Sequence, residues 1–205
     1  MLSAAIIAGL VVTACGSDAK QPPRSSSTTR RSTTSSTRST STTGATTSTT
    51  SGCPAAGAMV DVRDDFPNRM SPLTGKDVRT GSHPCFERFV IELQSGDQPG
   101  TGFPGYWVRY ATEPLTLSPS GQPITVRGTA ALLVSLGAPM KWMNSIGYTG
   151  PQDVFPTSGP IKEYRLTEDF EGQSMWTLGL DQRRNFEVTK LSDPPRLVVD
   201  IRTAP

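Results

Sequence analysis

The sequence predicts an all-β fold, a small β-sandwich of two facing sheets, preceded by a signal peptide and a disordered Ser/Thr-rich tether. Three observations carry that expectation. Apolar and polar residues alternate at period two in several short runs. Gly and Pro separate those runs, and no segment holds a capped amphipathic helix of three turns. The alternation is clearest from Ser174 to Ile201. There Trp176, Leu178 and Leu180 share one side of a strand, and Leu197, Val199 and Ile201 share one side of another. A charged turn (Asp181 to Asn185) and a Ser-Asp-Pro-Pro corner (Ser192 to Pro195) divide the stretch, with Pro kept to the corner because it cannot donate to a ladder.

At the N-terminus, Leu2 to Ala14 is an uncharged, mostly apolar run. It is too short for a membrane-spanning helix, which needs about 20 residues, and residues 1–14 read as a secretory signal. No Lys or Arg precedes the run, so either the start lies upstream or the amino group alone supplies the positive charge. The ending Val12-Thr13-Ala14-Cys15 resembles the lipobox of bacterial lipoproteins. That resemblance implies cleavage before Cys15 and a diacyl lipid such as palmitate on its thiol. With Cys15 lipidated, Cys53 and Cys85 remain as an even pair in an oxidising compartment, where a disulfide is expected.

Residues 15–52 follow as a linker, and 22 of the 27 residues from 25 to 51 are Ser or Thr. With no large apolar side chain, such a segment cannot offset its ordering entropy. As a flexible coil the tether spans about 33 Å; fully extended it reaches about 120 Å. Dense Ser/Thr runs in secreted chains are either plain spacers or O-glycosylated stalks.

Charge divides at the same boundary. Residues 1–52 hold five Lys/Arg against one Asp, a balance of +4, and residues 53–205 hold 15 against 17, a balance of −2. The folded part is therefore not basic, and nothing in it supports nucleic-acid binding.

Residues 53–205 are long enough for one domain that buries roughly 70% of its unfolded surface. Up to Ser82 the chain is rich in Pro, Gly and Asp, and Ala58 to Arg63 is the only expected strand there. Phe86 to Leu93 alternates, with Phe89, Ile91 and Leu93 on one side. Gln94 to Pro104 reads as a loop. Gly105 to Tyr110 sets Tyr106, Val108 and Tyr110 against Trp107 and Arg109. Ile124 to Arg127, Ala130 to Leu136 and Ile161 to Leu166 are further strands, Ala138 to Gly159 is an irregular loop, and Glu168 to Gly172 is an acidic corner.

Five of these stretches resemble the AMIN-like domain of actinobacterial envelope proteins. They are His83-Pro84-Cys85-Phe86-Glu87-Arg88-Phe89-Val90, Pro104-Gly105-Tyr106-Trp107-Val108-Arg109-Tyr110, Asp169-Phe170-Glu171-Gly172, Gly179-Leu180-Asp181 and Asp193-Pro194-Pro195-Arg196-Leu197-Val198-Val199-Asp200-Ile201. The resemblance implies a sandwich of two facing sheets and a binding or localisation role. Related domains are attached to periplasmic cell-wall amidases and secretion proteins, which they target by contacting peptidoglycan. A zinc amidase needs several His and carboxylate ligands. His83 is the only histidine, so that chemistry is excluded, and no enzyme activity, metal or cofactor is expected.

Candidate residues are few. His83, before Pro84 at a strand entry, reads as structural or solvated. Glu168, Asp169 and Glu171 read as a solvated corner rather than a glycosidase pair. Arg88 and Asp200 are placed to pair across neighbouring strands. Trp107 and Arg109 face away from the core, either as a stacking surface for sugar rings or as cover for the second face of the sheet. With Arg183 and Arg184, expected solvated in a hairpin turn, they form the candidate binding surface. The expected protein is thus anchored by lipid on the outer face of the cytoplasmic membrane. Its partner there is wall glycan or an envelope protein. A rival reading, a carrier of small apolar molecules, requires an open cavity of several hundred Å3 between the sheets.

Overall fold

A computed structural model describes residues 53, 57–96, 99–100, 102–142 and 146–204. The expected signal peptide, the expected lipidation at Cys15 and the expected Ser/Thr tether lie outside these residues. The strands are β1 (Val62–Asp64), β2 (Leu73–Ser82), β3 (Phe86–Ser95), β4 (Tyr106–Tyr110), β5 (Thr116–Leu117) and β6 (Gln122–Pro123), followed by β7 (Ala130–Leu136), β8 (Asp153–Val154), β9 (Ile161–Phe170), β10 (Gln173–Leu180), β11 (Phe186–Ser192) and β12 (Pro195–Arg202). Six form an antiparallel sheet in the order β1-β4-β7-β10-β9-β8, and four form a second in the order β11-β12-β3-β2. The all-β sandwich expected from the alternation is the fold. Its strands face as their sequence requires: Trp176, Leu178 and Leu180 meet Phe89, Ile91, Leu197, Val199 and Ile201 in one core.

That core is filled with aromatic groups that reach across the two sheets. The Phe89 ring on β3 lies 5.5 Å from Tyr164 on β9 and 6.3 Å from Trp176 on β10. Tyr110 on β4 meets Phe186 on β11 at 5.9 Å. Burying such side chains contributes about 1.5–3 kcal/mol each. It also occupies the inter-sheet space that a carrier of apolar molecules would need.

Several expectations need correction. β2 was not legible, because only Leu73 and Val78 among its ten residues are large and apolar. A bulge leaves Lys76 unpaired, shifting the inward set from Leu73 and Gly75 to Val78, so no simple alternation survives. The strand expected at Ala58 to Arg63 is displaced: Ala58 makes an isolated bridge to Phe186, and β1 starts at Val62. Ile124 to Arg127 is not a strand; the short hairpin β5–β6 precedes it. The acidic corner is mostly strand, since β9 runs to Phe170 and only Glu171 and Gly172 turn the chain. Their φ angles of 51° and 78° are those a two-residue hairpin turn demands.

The most consequential correction concerns Asp181 to Asn185. β10 and β11 belong to different sheets, so this segment is a crossover and not a hairpin turn. A crossover passes over the end of the core and must bury some of what it carries.

Cys53 and Cys85 are joined in a disulfide. It ties the segment before β1 to the start of β3.

Candidate binding groove

On β4, Tyr106, Val108 and Tyr110 point into the core, which leaves Trp107 and Arg109 on the outer face of the six-stranded sheet. Register then assembles a row across five strands: Arg63, Trp107, Ser135, Met175 and Glu168. Trp107 is the best-anchored member. Its indole N–H donates to Asp61 Oδ2 at 3.2 Å. The guanidinium groups of Arg63 and Arg109 lie over its ring, 5.0 and 4.2 Å from the centroid. Arg63 is fixed in turn by donating Nε–H to the Phe66 carbonyl at 2.6 Å. Arg109 has no such partner: its Nε is buried and makes no hydrogen bond, and no ion pair joins it among the described residues. A buried donor without an acceptor costs about 1–3 kcal/mol.

Arg109 opens onto two adjoining hollows. One, of about 200 Å3, has walls that include Trp107, Ser135, Glu168 and Met175. The other, of about 170 Å3, lies under Thr112 to Thr116, with Leu133 and Thr177 among the residues around it. Arg109 and Met175 line both, so the two form one groove. The chain between β4 and β7 roofs one end of it. This roof is pinned where the Ser118 N–H donates to the Thr167 carbonyl at 3.0 Å.

Glu168 reaches the groove through a backbone irregularity. Met175 pairs with Glu168 while Trp176 pairs with Leu166, so Thr167 is an extra residue in β9. Without that bulge, Glu168 would follow Tyr164 and Leu166 into the core; with it, Glu168 turns to the outer face. The Thr167 hydroxyl holds the bulge, 2.8 Å from Thr177 Oγ1 and 3.2 Å from the Met175 carbonyl. Burial pushes the Glu168 carboxyl above its ordinary range, and no hydrogen bond or ion pair occupies it among the described residues. Its two neighbours do other work. Asp169 accepts the backbone N–H groups of Met140 and Lys141 at 2.8 and 3.2 Å. Glu171 forms the turn.

Arg183 and Arg184 do not join this surface. Arg184 is 8% exposed, against the expectation of a solvated side chain. It binds Asp181 through two hydrogen bonds and donates to the carbonyls of Arg202 and Thr203. Its backbone is clasped by Tyr110, whose hydroxyl donates to the Arg184 carbonyl and accepts its N–H, both at 2.7 Å. Arg183 is exposed and lies over the Tyr110 ring at 4.3 Å, at the end of the sandwich where the chain changes sheets.

The other residues singled out by sequence are structural. Arg88 pairs bidentately with its register partner Asp200 at 2.7 and 2.8 Å. His83 is exposed and stacks on Phe86 at 4.4 Å beside the β2–β3 turn. A further hollow of about 370 Å3 lies at the end of the sandwich, where Gln94, Ser95 and Ser192 make its lining half polar. Among the described residues no group of three or more His, Cys, Asp or Glu could hold a metal ion. Sequence reasoning missed Ser135, Met175 and the outward turn of Glu168 as groove residues, and Arg63 as a support for Trp107. Alternation gives the face of each strand, but nothing local gives the strand order.

A two-sheet sandwich with a charged open groove on one outer face has the build of a binding domain. The AMIN-like domain family matches residues 73–203, more than half of the chain, and the chain belongs to that family. Membership places it among the binding modules of the extracytoplasmic cell envelope. No curated protein and no solved structure matches it significantly.

Proposed function

We propose that this chain is a tethered, non-catalytic module that binds peptidoglycan through the Trp107–Arg109 groove. In this reading lipid on Cys15 holds the outer face of the cytoplasmic membrane, residues 16–52 set the reach, and the domain that follows from Cys53 makes the contact. Tethering raises the local concentration of the wall around the domain, so a weak intrinsic affinity suffices. The observation that carries the reading is Arg109, stacked on an anchored Trp107 and lining an open groove with no ion pair among the described residues. The rival carrier reading is disfavoured by the side chains that fill the space between the sheets.

The test is co-sedimentation of the full chain with purified sacculi. The variant carrying Trp107→Ala and Arg109→Ala is expected to lose at least tenfold in retention, while Arg88→Ala, on the other sheet, is retained like the parent. Equal retention of the parent and the double variant overturns the proposal.

A further inference from the structure

Trp107 is poorly placed to stack on a sugar. Two guanidinium groups already lie over its ring, and its indole N–H is committed to Asp61. The ring therefore serves as a platform that orders Arg63 and Arg109. Among the described residues, three charged side chains of the groove have no ion pair: Arg109, Glu168, and Glu113 on the roof, which is exposed. On one wall stands Arg109, whose planar fork suits a carboxylate. On the other stands Glu168, delivered by the Thr167 bulge and without an ion pair among the described residues. Between them lie Ser135 and Met175, on the two intervening strands.

We infer that the groove binds the peptide part of the wall polymer, with a free carboxylate on Arg109 and a free amine on Glu168, and not the glycan. The inference rests on the wall-binding reading above and names the part of the wall recognised. Each end of such a peptide meets the unpaired group of opposite sign, and its backbone amides face the Ser135 hydroxyl. Arg109 and Glu168 stand three strand spacings apart across the sheet and two residues apart along it, about 16 Å at the backbone. Their side chains lean into that interval, and a peptide of two to four residues, at about 3.4 Å per residue, bridges what is left. A neutral sugar chain would leave both charges unpaired in a partly desolvated groove, which disfavours it. A purely anionic polymer would meet Glu168 as a like charge.

The experiment uses the full chain and wall material split by an amidase into free stem peptides and peptide-stripped glycan strands, the glycan carboxylates exposed by that cleavage being amidated to keep the strands neutral, with binding followed by calorimetry. The peptides are expected to bind and the stripped glycan not to bind. Arg109→Gln and Glu168→Gln should each weaken peptide binding at least tenfold. Acetylating the peptide amines should weaken binding to the parent chain by a similar factor while adding nothing further in Glu168→Gln. Amidating the peptide carboxylates should act likewise through Arg109. These ligand-side changes keep the test decisive if a variant folds poorly. Equal binding of stripped glycan, or peptide binding indifferent to both blocking reactions, overturns the inference. Retention on intact sacculi without peptide binding overturns it and leaves wall binding standing; no retention on sacculi overturns both.

Discussion

Asp181 holds Arg184 through two hydrogen bonds, Nε to Oδ1 at 2.8 Å and Nη2 to Oδ2 at 2.9 Å, at the point where the chain leaves one sheet for the other. Among the described residues, adjacent Arg183 has only the face of Tyr110. Two arginines that look alike in sequence thus carry different energies. Breaking a largely buried, hydrogen-bonded pair costs about 3 kcal/mol; an exposed cation–π contact is worth about 0.5–1 kcal/mol. At about 2–4 °C per kcal/mol, Arg184→Ala should melt roughly 6–12 °C below the parent and Arg183→Ala within a few degrees of it. Equal melting temperatures would remove the crossover lock from the account.

The pH dependence of stability should contain two contributions of opposite sign. Hydrogen bonds from Arg184 hold the Asp181 carboxyl below its ordinary range. Its contribution is present above the unfolded value of about 3.9 and is lost as pH falls through the lowered folded value. Glu87 is buried under Gly159 and accepts the Ile161 N–H at 2.8 Å, and burial pushes its carboxyl up. Its contribution is present below the unfolded value of about 4.3 and is lost as pH rises through the raised folded value. Asp181→Asn should therefore be less stable than the parent at pH 7, with the deficit narrowing below about pH 4. Glu87→Gln keeps the acceptor without the charge; it should gain on the parent between pH 4 and pH 7. Calorimetric melts across that range check both slopes.

Glu171 occupies a left-handed conformation, φ 51°, that suits Asn better than Glu. Glu171→Asn should raise stability by about 0.5 kcal/mol. Gly172 differs, because at φ 78° an added Cβ would also sit 2.9 Å from Met70 Cε. Gly172→Ala should cost about 1 kcal/mol or more. Neither change should alter retention on sacculi, and a loss of retention in Glu171→Asn would add this acid to the binding residues.

The Cys53–Cys85 disulfide closes a separation of 32 residues. In the loop-entropy account that is worth about 3–4 kcal/mol. A chain with both cysteines replaced by Ser should lose up to that amount, measured by denaturant unfolding. The protection of amides from Ala58 to Asp64 against hydrogen exchange should fall first, because the staple holds that segment beside β11.

The two halves of β9–β10 show how unevenly the fold was legible. On β10, Trp176, Leu178 and Leu180 are apolar at every second position, and their inward placement follows from the pleat alone. On β9 the same rule sends Glu168 inward, and one extra residue reverses it. β2 escaped notice for the same reason, a bulge in a run already poor in large apolar side chains. Irregularities of this kind depend on the partner strand, so a reading of one strand cannot see them.

The sequence by itself determined the sandwich class and the faces of β4, β10 and β12, because the pleat is a local geometry, and it made Cys53 and Cys85 the expected pair. It also put Trp107 and Arg109 outside the core. Only the tertiary structure set β4 beside β7, β10 and β9, brought Glu168 to the groove of Arg109, and buried Arg184 under the crossover. Those arrangements are fixed by hydrogen-bond register between strands far apart in the chain, and by which sheet each strand joins. Neither is written in the alternation of any one strand.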